Sequence, residues 1–346
     1  MKNKVLVLGY FGYATNQLDG QTVKTLSVYE LLKSKEKELG TVSYFDTQQF
    51  QYSKLSFFKM FSSLVKCNKL IYLPAHNNLK YIFPLLFIFS KLKRIEIIYI
   101  VIGGWVDEFL QSKKMHIAML SKIKGIFTES NQMTNNLIDQ YNFKNVLTFP
   151  NFRLHSFIPS FKIDTNRFKI AYMARIFKEK GIDIVFRLAD YVQKTYGNEH
   201  SISIDFYGPI QKDEENYFRE QLDKYDFVSY KCILEPEQIY VTLEQYDVVV
   251  LPTRFFTEGF PGTIMDAYIS GVPVVVTRWK YASEFVNHGN SGFLFDLDKE
   301  EDFYIYVDRL YNDRSQLLKM KHGAYEKSKE YSSESAWQIL KQYLVI

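Results

Sequence analysis

Residues 246–277 read "YDVVVLPTRFFTEGFPGTIMDAYISGVPVVVT". The first eight, through Thr253, are a short and nearly continuous apolar run, the pattern of a buried parallel strand. Ile264, Met265, Ala267, Tyr268 and Ile269 then carry a helical segment. Gly271 and Pro273 end it, and "VPVVVT" is the next buried strand. The unit is strand, loop, helix, strand, the building block of a parallel sheet. In the loop, Gly259 and Gly262 have no side chains, so a ligand can approach the backbone closely. N–H groups at the start of the helix favour an anion. Glu258 precedes the helix and Asp266 lies about two turns inside it. Both carboxylates can accept hydrogen bonds from hydroxyls, so a polyol carrying phosphate suits the arrangement. Taken alone, the same residues also read as a Gly-rich βα turn with a capping acid.

The same alternation continues outward in both directions. Strand-like runs occur at "KVLVLGYFG", "TVSYFD", "KLIYLPA", "IEIIYIVIG", "GIFTES" and "NVLTFPN", and again at "FKIAYMAR", "ISIDFYG", "FVSYKCI", "YDVVVLP", "VPVVVT" and "SGFLFD". Helical segments separate them, which implies parallel sheets covered on both faces. Residues 151–168, "NFRLHSFIPSFKIDTNRF", have no clean periodicity and read as a linker. The expected architecture is α/β, with two doubly wound, Rossmann-like domains facing a cleft. Ligands in such sheets bind beyond the carboxyl ends of the strands.

The composition agrees with this. The chain has 346 residues, 47% hydrophobic and 24% charged, a length that suggests roughly two domains. Cys67 and Cys232 show no metal or redox spacing and read as reduced thiols of a cytoplasmic protein. "MKNKVLVLGYFGY" reads as a first strand rather than a signal peptide. The longest apolar run, Tyr81 to Phe89, is far below the roughly 18 residues a membrane span needs. Residues 1–155 hold 20 Lys and Arg against 10 Asp and Glu, and the remainder 23 against 29. The excess peaks at residues 51–100, with eight cations and one acid, Glu96. An anionic membrane face fits this pattern, as does a solvated basic surface. The lysines show no nucleic-acid-binding module, so nucleic acid is not expected as a partner.

Several other residues are candidates for chemistry. Arg175 and Lys180, in "YMARIFKEKGIDIVF", follow the first strand of the second half, and a rigid fork beside a mobile ammonium suits a diphosphate. They should share one rim with the Glu258 loop. Gly20, in "LDGQTVKT", lies at the first βα loop, where a phosphate could approach. "GYFGYATNQLDG" is not G-x-G-x-x-G, which disfavours a NAD enzyme. His76, in "YLPAHNN", follows a strand and is a weak candidate for acceptor or catalytic work beside its ordinary structural reading. Asp296-Leu297-Asp298 reads as a solvated turn rather than a metal motif. There is no His/Cys metal cluster and no nucleophile elbow.

Together these residues resemble the retaining glycosyltransferases of the GT-B fold in glycosyltransferase family 4, also called glycosyl transferases group 1. "EGFPGTIMD", Glu258 to Asp266, is similar to that family's E-x7-E motif. "ARIFKEKG" is similar to its GR…EKG segment, and "SEFVNHGNSGFLFD", Ser283 to Asp296, also matches. "SSESAWQILKQYL" is similar to the last helix of the fold, which crosses back to the N-terminal domain. "GQTVKT", "YLPAHNN" and "YIVIGGW" look like bacterial members of capsular and surface-polysaccharide clusters. The resemblance implies an acceptor-binding domain at 1–155, a donor-binding domain at 156–331 and a returning helix at 332–346. It implies a hexosyltransferase that needs no metal or other cofactor. Such an enzyme takes a nucleotide sugar, UDP-linked, as co-substrate and a lipid-linked saccharide as acceptor. It would lie in the cytoplasm, peripheral to the membrane. Arg175 and Lys180 would hold the diphosphate. Glu258 would bind sugar hydroxyls, and Asp266 the ribose. The backbone of Gly259, Phe260, Pro261, Gly262 and Thr263 would line the donor. Three departures stand out: Asp266 replaces a glutamate, Gly103 stands where a histidine is frequent, and Lys280-Tyr281 replaces a Gly-Gly pair. They keep open the alternative of a non-catalytic nucleotide-sugar- or glycan-binding scaffold.

Overall fold

The computed structural model describes residues 3–15, 19–197, 201–256 and 258–345. Thr257, which opens the Glu258 loop, and residues 16–18 of the first βα loop lie outside these. The chain divides into two compact units, Met1–His155 with Tyr331–Ile346, and Ser156–Glu330.

Among the described residues the first unit holds a parallel sheet of β1 (Asn3–Gly9), β2 (Gly40–Asp46), β3 (Lys69–Leu73), β4 (Glu96–Ile100), β5 (Gly125–Thr128) and β6 (Val146–Thr148), in the order β2-β1-β3-β4-β5-β6. Val7 pairs with Tyr44 on one side and Ile71 on the other. The inner strands β1, β3 and β4 are nearly all buried and run apolar without alternation, as in a sheet covered on both faces, whereas the edge strand β2 is partly exposed. Several expected strands end early. "IEIIYIVIG" pairs only over Glu96–Ile100, because the chain turns at Gly103 with φ +77. Asp19 caps the Gly20–Ser34 helix, accepting from Gln21 N and Thr22 N at 3.0 and 2.9 Å, while Thr22 Oγ1 accepts from Asp19 N.

The second unit holds β7 (Phe168–Met173), β8 (Ile202–Tyr207), β9 (Val228–Tyr230), β10 (Val248–Leu251), β11 (Val274–Thr277) and β12 (Gly292–Phe295). All are parallel, in the order β12-β11-β10-β7-β8-β9. Read from β9, this is the 3-2-1-4-5-6 winding of a Rossmann sheet, and its direction reverses between β7 and β10. In the first sheet the reversal falls between β1 and β3.

The last helix, Ser333–Leu344, belongs to the first unit. Trp337, Leu340 and Leu344 are buried in one core with Val5, Val7, Ile98 and Phe127. Asn3 Nδ2 donates to Leu344 O at 2.6 Å, and Lys69 Nζ to Tyr343 O at 3.1 Å. Removing the indole leaves a hole that this helix cannot close alone. W337A is expected to destabilise the first unit by about 3–5 kcal/mol. Denaturant unfolding measures this, and an unchanged midpoint would show that the indole does not hold the helix.

Candidate functional site

In the second unit, the loops after β7 and β10 leave the sheet on either side of its reversal point. Both are fixed by close backbone contact. Gly181 has φ +81, and a Cβ there would lie 2.0 Å from Pro252 O, so the Lys178–Lys180 turn presses directly on the chain after β10. Gly208, after β8, has φ +131 and would meet Ala174 O at the same distance. Only glycine satisfies both the torsion and the approach.

One buried phenol anchors both expected cations through their backbones. Tyr172 OH donates to Arg175 O at 3.0 Å and to Lys180 O at 3.3 Å. Burial, with a smaller push from Glu258, raises its pKa well above the ordinary tyrosine value, so it stays a neutral donor. The Lys180 ammonium is ion-paired with Glu258 Oε1, and Thr253 Oγ1 donates to the same oxygen at 3.4 Å. The paired side chains are 14% and 17% exposed, so the pair is shielded but not sealed from solvent. Sequence reasoning assigned these two residues to separate parts of a ligand, and the structure joins them.

Arg175 is exposed, with its guanidinium 5.3 Å from the centre of the Phe177 ring. Lys180 Nζ lies 4.9 Å from the Phe255 ring, and the Phe177 and Phe255 rings meet at 5.8 Å. The two cations therefore share an aromatic floor. Arg254 then ties the loops together. It bonds both carboxylate oxygens of Asp183 at 2.7 Å and Lys178 O at 2.7 Å. Burial opposes ionisation of Asp183, but its bonds to Arg254 and Arg187 hold its carboxyl below the usual range. The sequence did not reveal Phe177, Phe255, Arg254 or Asp183 as site residues. Their only signal was proximity in sequence to Arg175, Lys180 and Glu258.

The glycine-rich loop is anchored on its inner side. Phe260 is buried and stacks on Phe285 at 4.2 Å with the rings nearly parallel. Trp279 Nε1 donates to Gly259 O at 3.2 Å. Thr263 Oγ1 donates to Met173 O at 2.6 Å, tying the start of the Gly262–Ile269 helix to the end of β7. Pro261, Gly262 and Thr263 are half-buried, and Asp266, inside that helix, is 6% exposed.

Gly20 and His76 belong to the first unit. Gly20 is the first residue of its helix, and a Cβ there would meet nothing within 4 Å, so the fold itself does not require glycine. His76 opens the His76–Tyr81 helix after β3, with its ring 5.2 Å from Trp105 and 5.1 Å from Phe109. Gly103 sits in left-handed backbone, where a Cβ would lie 3.3 Å from the Trp105 ring. A buried pair the sequence did not reveal, Lys24 to Glu129 at 2.6 Å, joins the first helix to the end of β5. Lys24 also donates to Val101 O at 2.9 Å.

Residues 155–327 match the family described as glycosyl transferases group 1. The poly(ribitol-phosphate) alpha-N-acetylglucosaminyltransferase of Staphylococcus aureus (strain COL) is 24% identical over 250 residues, covering 68% of this chain and 46% of that protein. The capsular polysaccharide biosynthesis glycosyltransferase CapM of Staphylococcus aureus is 26% identical over 181 residues, covering 52% of this chain and 46% of that protein. The chain thus spans about half the length of these curated relatives. Among solved structures, HepE of Anabaena in complex with UDP-glucose superposes with a TM-score of 0.72 at 15% identity, covering 99% of each chain.

The contact between the two loops gives a direct test. G181A forces a side chain into left-handed backbone and against a carbonyl. It is expected to cost about 1–3 kcal/mol of stability. Calorimetry of the two proteins measures this, and an unaltered unfolding temperature would mean that the loops are not locked together here.

Proposed function

The chain belongs to the glycosyl transferases group 1 family, and from that membership we propose that it transfers a sugar from a UDP-linked donor to a lipid-linked or oligosaccharide acceptor, with retention of anomeric configuration. The observation that carries this reading is the ion pair of Lys180 with Glu258 across the sheet reversal, with Arg175 on the same loop as Lys180. The UDP-glucose complex of HepE supports the choice of donor, and the capsular-polysaccharide name of one relative supports the acceptor class.

In this reading Arg175 and Lys180 take the diphosphate. Negative charge grows there as the bond from the anomeric carbon to phosphate oxygen breaks, and fixed cations stabilise that charge without reorganising. A diphosphate arriving at Lys180 competes with Glu258 for the ammonium, and the carboxylate then accepts hydrogen bonds from sugar hydroxyls. Thr253 keeps that carboxylate oriented through the exchange. The loop from Gly259 to Thr263 offers backbone rather than side chains, because Phe260 is turned inward. Asp266 serves the ribose hydroxyls. The acceptor oxygen bonds to the anomeric carbon on the face the phosphate leaves, and its proton passes to the departing phosphate. Two cations meet the developing charge, so no metal is assigned to the reaction. A lipid-linked acceptor puts the work at the inner face of the cytoplasmic membrane, with the basic first unit against anionic lipid.

A panel of nucleotide sugars, scored by thermal shift and by release of nucleoside diphosphate with and without a lipid-linked acceptor extract, tests the reading. Stabilisation by one donor, with release only when acceptor is present, is expected. Stabilisation without release under any acceptor would favour a binding protein. No stabilisation by any donor would overturn the assignment of the Glu258 loop. R175A is expected to lower turnover by about 10²–10³-fold while the protein stays folded, and unchanged turnover would refute the diphosphate role. D266E adds a methylene to a buried carboxylate. It is expected to keep turnover with an equal or lower donor KM, whereas complete loss would show a pocket built around the shorter acid.

A further inference from the structure

Two neighbouring helices of the first unit carry apolar side chains on their outward faces. On the Ser56–Val65 helix and the residue before it, Leu55, Phe58 and Val65 are exposed, at helical spacing on one side. From the helix Phe83–Lys93 and the last residue of the helix before it, Tyr81, Leu85, Ile88 and Leu92 form a second stripe, at intervals of four, three and four residues. Phe58 is 72% exposed and Leu92 76%. The two helices touch where the Phe61 and Phe89 rings meet edge to face at 5.0 Å. A groove lined by Phe57, Phe58, Asn78, Tyr81 and Ile82 continues the surface toward the end of β3. Tyr81 also lines a second hollow, which includes Lys80, Lys113 and Lys114.

Cations frame this apolar surface. Lys54, Lys59, Lys66, Lys91, Lys93 and Arg94 are all exposed. The one acid among residues 51–100, Glu96, is already bonded to buried Lys69 at 2.8 Å and to Lys124 at 3.2 Å, so it does not neutralise them. No helix among the described residues is long and apolar enough to cross a membrane. Apolar side chains ringed by Lys and Arg on an otherwise folded helix pair match the headgroup boundary of an anionic bilayer. A second copy of the chain is a poor occupant, because the same cations would face one another across the contact.

We propose that the paired outward faces of the Ser56–Val65 and Phe83–Lys93 helices form a membrane-docking surface, which seats its apolar stripes in the headgroup region of an anionic phospholipid bilayer. The proposal names the contact for the membrane-side working position given above and takes its purpose from that reading, while its evidence is the surface itself. The groove then runs from the lipid toward Asn77 and Asn78 at the end of β3, the direction a lipid-linked acceptor would follow.

Vesicle co-sedimentation of the full chain tests this, using phosphatidylcholine with and without phosphatidylglycerol. Binding is expected only with phosphatidylglycerol, weakening as salt is raised. The double variant F58S/L92S is expected to lower partitioning about tenfold or more, and K93A/R94A to lower it and flatten the salt dependence. Thermal stabilisation by the donor sugar, measured on the same proteins, should stay at the wild-type level. Equal binding to both vesicles, or binding indifferent to F58S/L92S, would overturn the proposal. So would self-association in the ultracentrifuge that F58S/L92S abolishes while vesicles are left unbound. Vesicle binding with no donor stabilisation would leave this surface standing and remove the transferase reading instead.

Discussion

The ion pair between Lys180 and Glu258 joins the two loops that leave the neighbouring strands β7 and β10. Its worth does not lie in stability, since desolvation of a half-buried pair cancels much of the attraction. It fixes where two side chains of opposite chemistry stand, one suited to phosphate and one to hydroxyls. Everything around the pair serves that position. Thr253 holds the carboxylate, Phe255 lies against the ammonium, and Tyr172 holds the backbone on which the lysine sits. Gly181 lets the backbone that carries Lys180 press against the chain after β10, where a Cβ would meet Pro252 O.

Much of this fold could be read from the sequence because parallel strands buried on both faces cannot alternate. "VVVL" and "VVVT" admit few other readings, and the runs chosen on that basis coincide with the twelve strands among the described residues. The order of the strands could not be read in the same way. Alternation of strand and helix implies a parallel sheet, but the reversal between β7 and β10 depends on which way each crossover packs. Strand ends were also overextended, because apolar residues continue into loops that are buried for other reasons. Val101 is an example: it is fully buried, and its carbonyl is taken by Lys24.

The residues proposed for the donor could be found because loop, glycine and charge fall together within a few positions. Their supporting partners could not. Arg254 with Asp183, and Lys24 with Glu129, are pairs separated by 71 and 105 positions. A single sequence shows two unrelated charges in each case. The aromatic floor escaped notice for a different reason. In a chain with 29 Phe, neither Phe177 nor Phe255 stands out until both cations are seen above them.

A loop that presents backbone to a ligand must turn its large side chains inward, and something must receive them. Here Phe260 stacks on Phe285, and Trp279 takes the Gly259 carbonyl. Phe285 is in turn held through its own carbonyl, which accepts from Tyr268 OH at 3.1 Å. Tyr268 stands two residues after Asp266 on the Gly262–Ile269 helix. The helix carrying the second carboxylate therefore anchors the ring on which the first carboxylate's loop rests. A shift of that helix moves both acids together, so the spacing between Glu258 and Asp266 is held by aromatic packing and one phenol as well as by the intervening chain. The altered pair Lys280-Tyr281 lies within the same framework. Lys280 N donates to Phe256 O at 3.1 Å, and the Tyr281 ring is buried. Two bulky residues are accommodated at this edge of the loop: Lys280 bonds it through its backbone N–H, and Tyr281 packs into the core behind it.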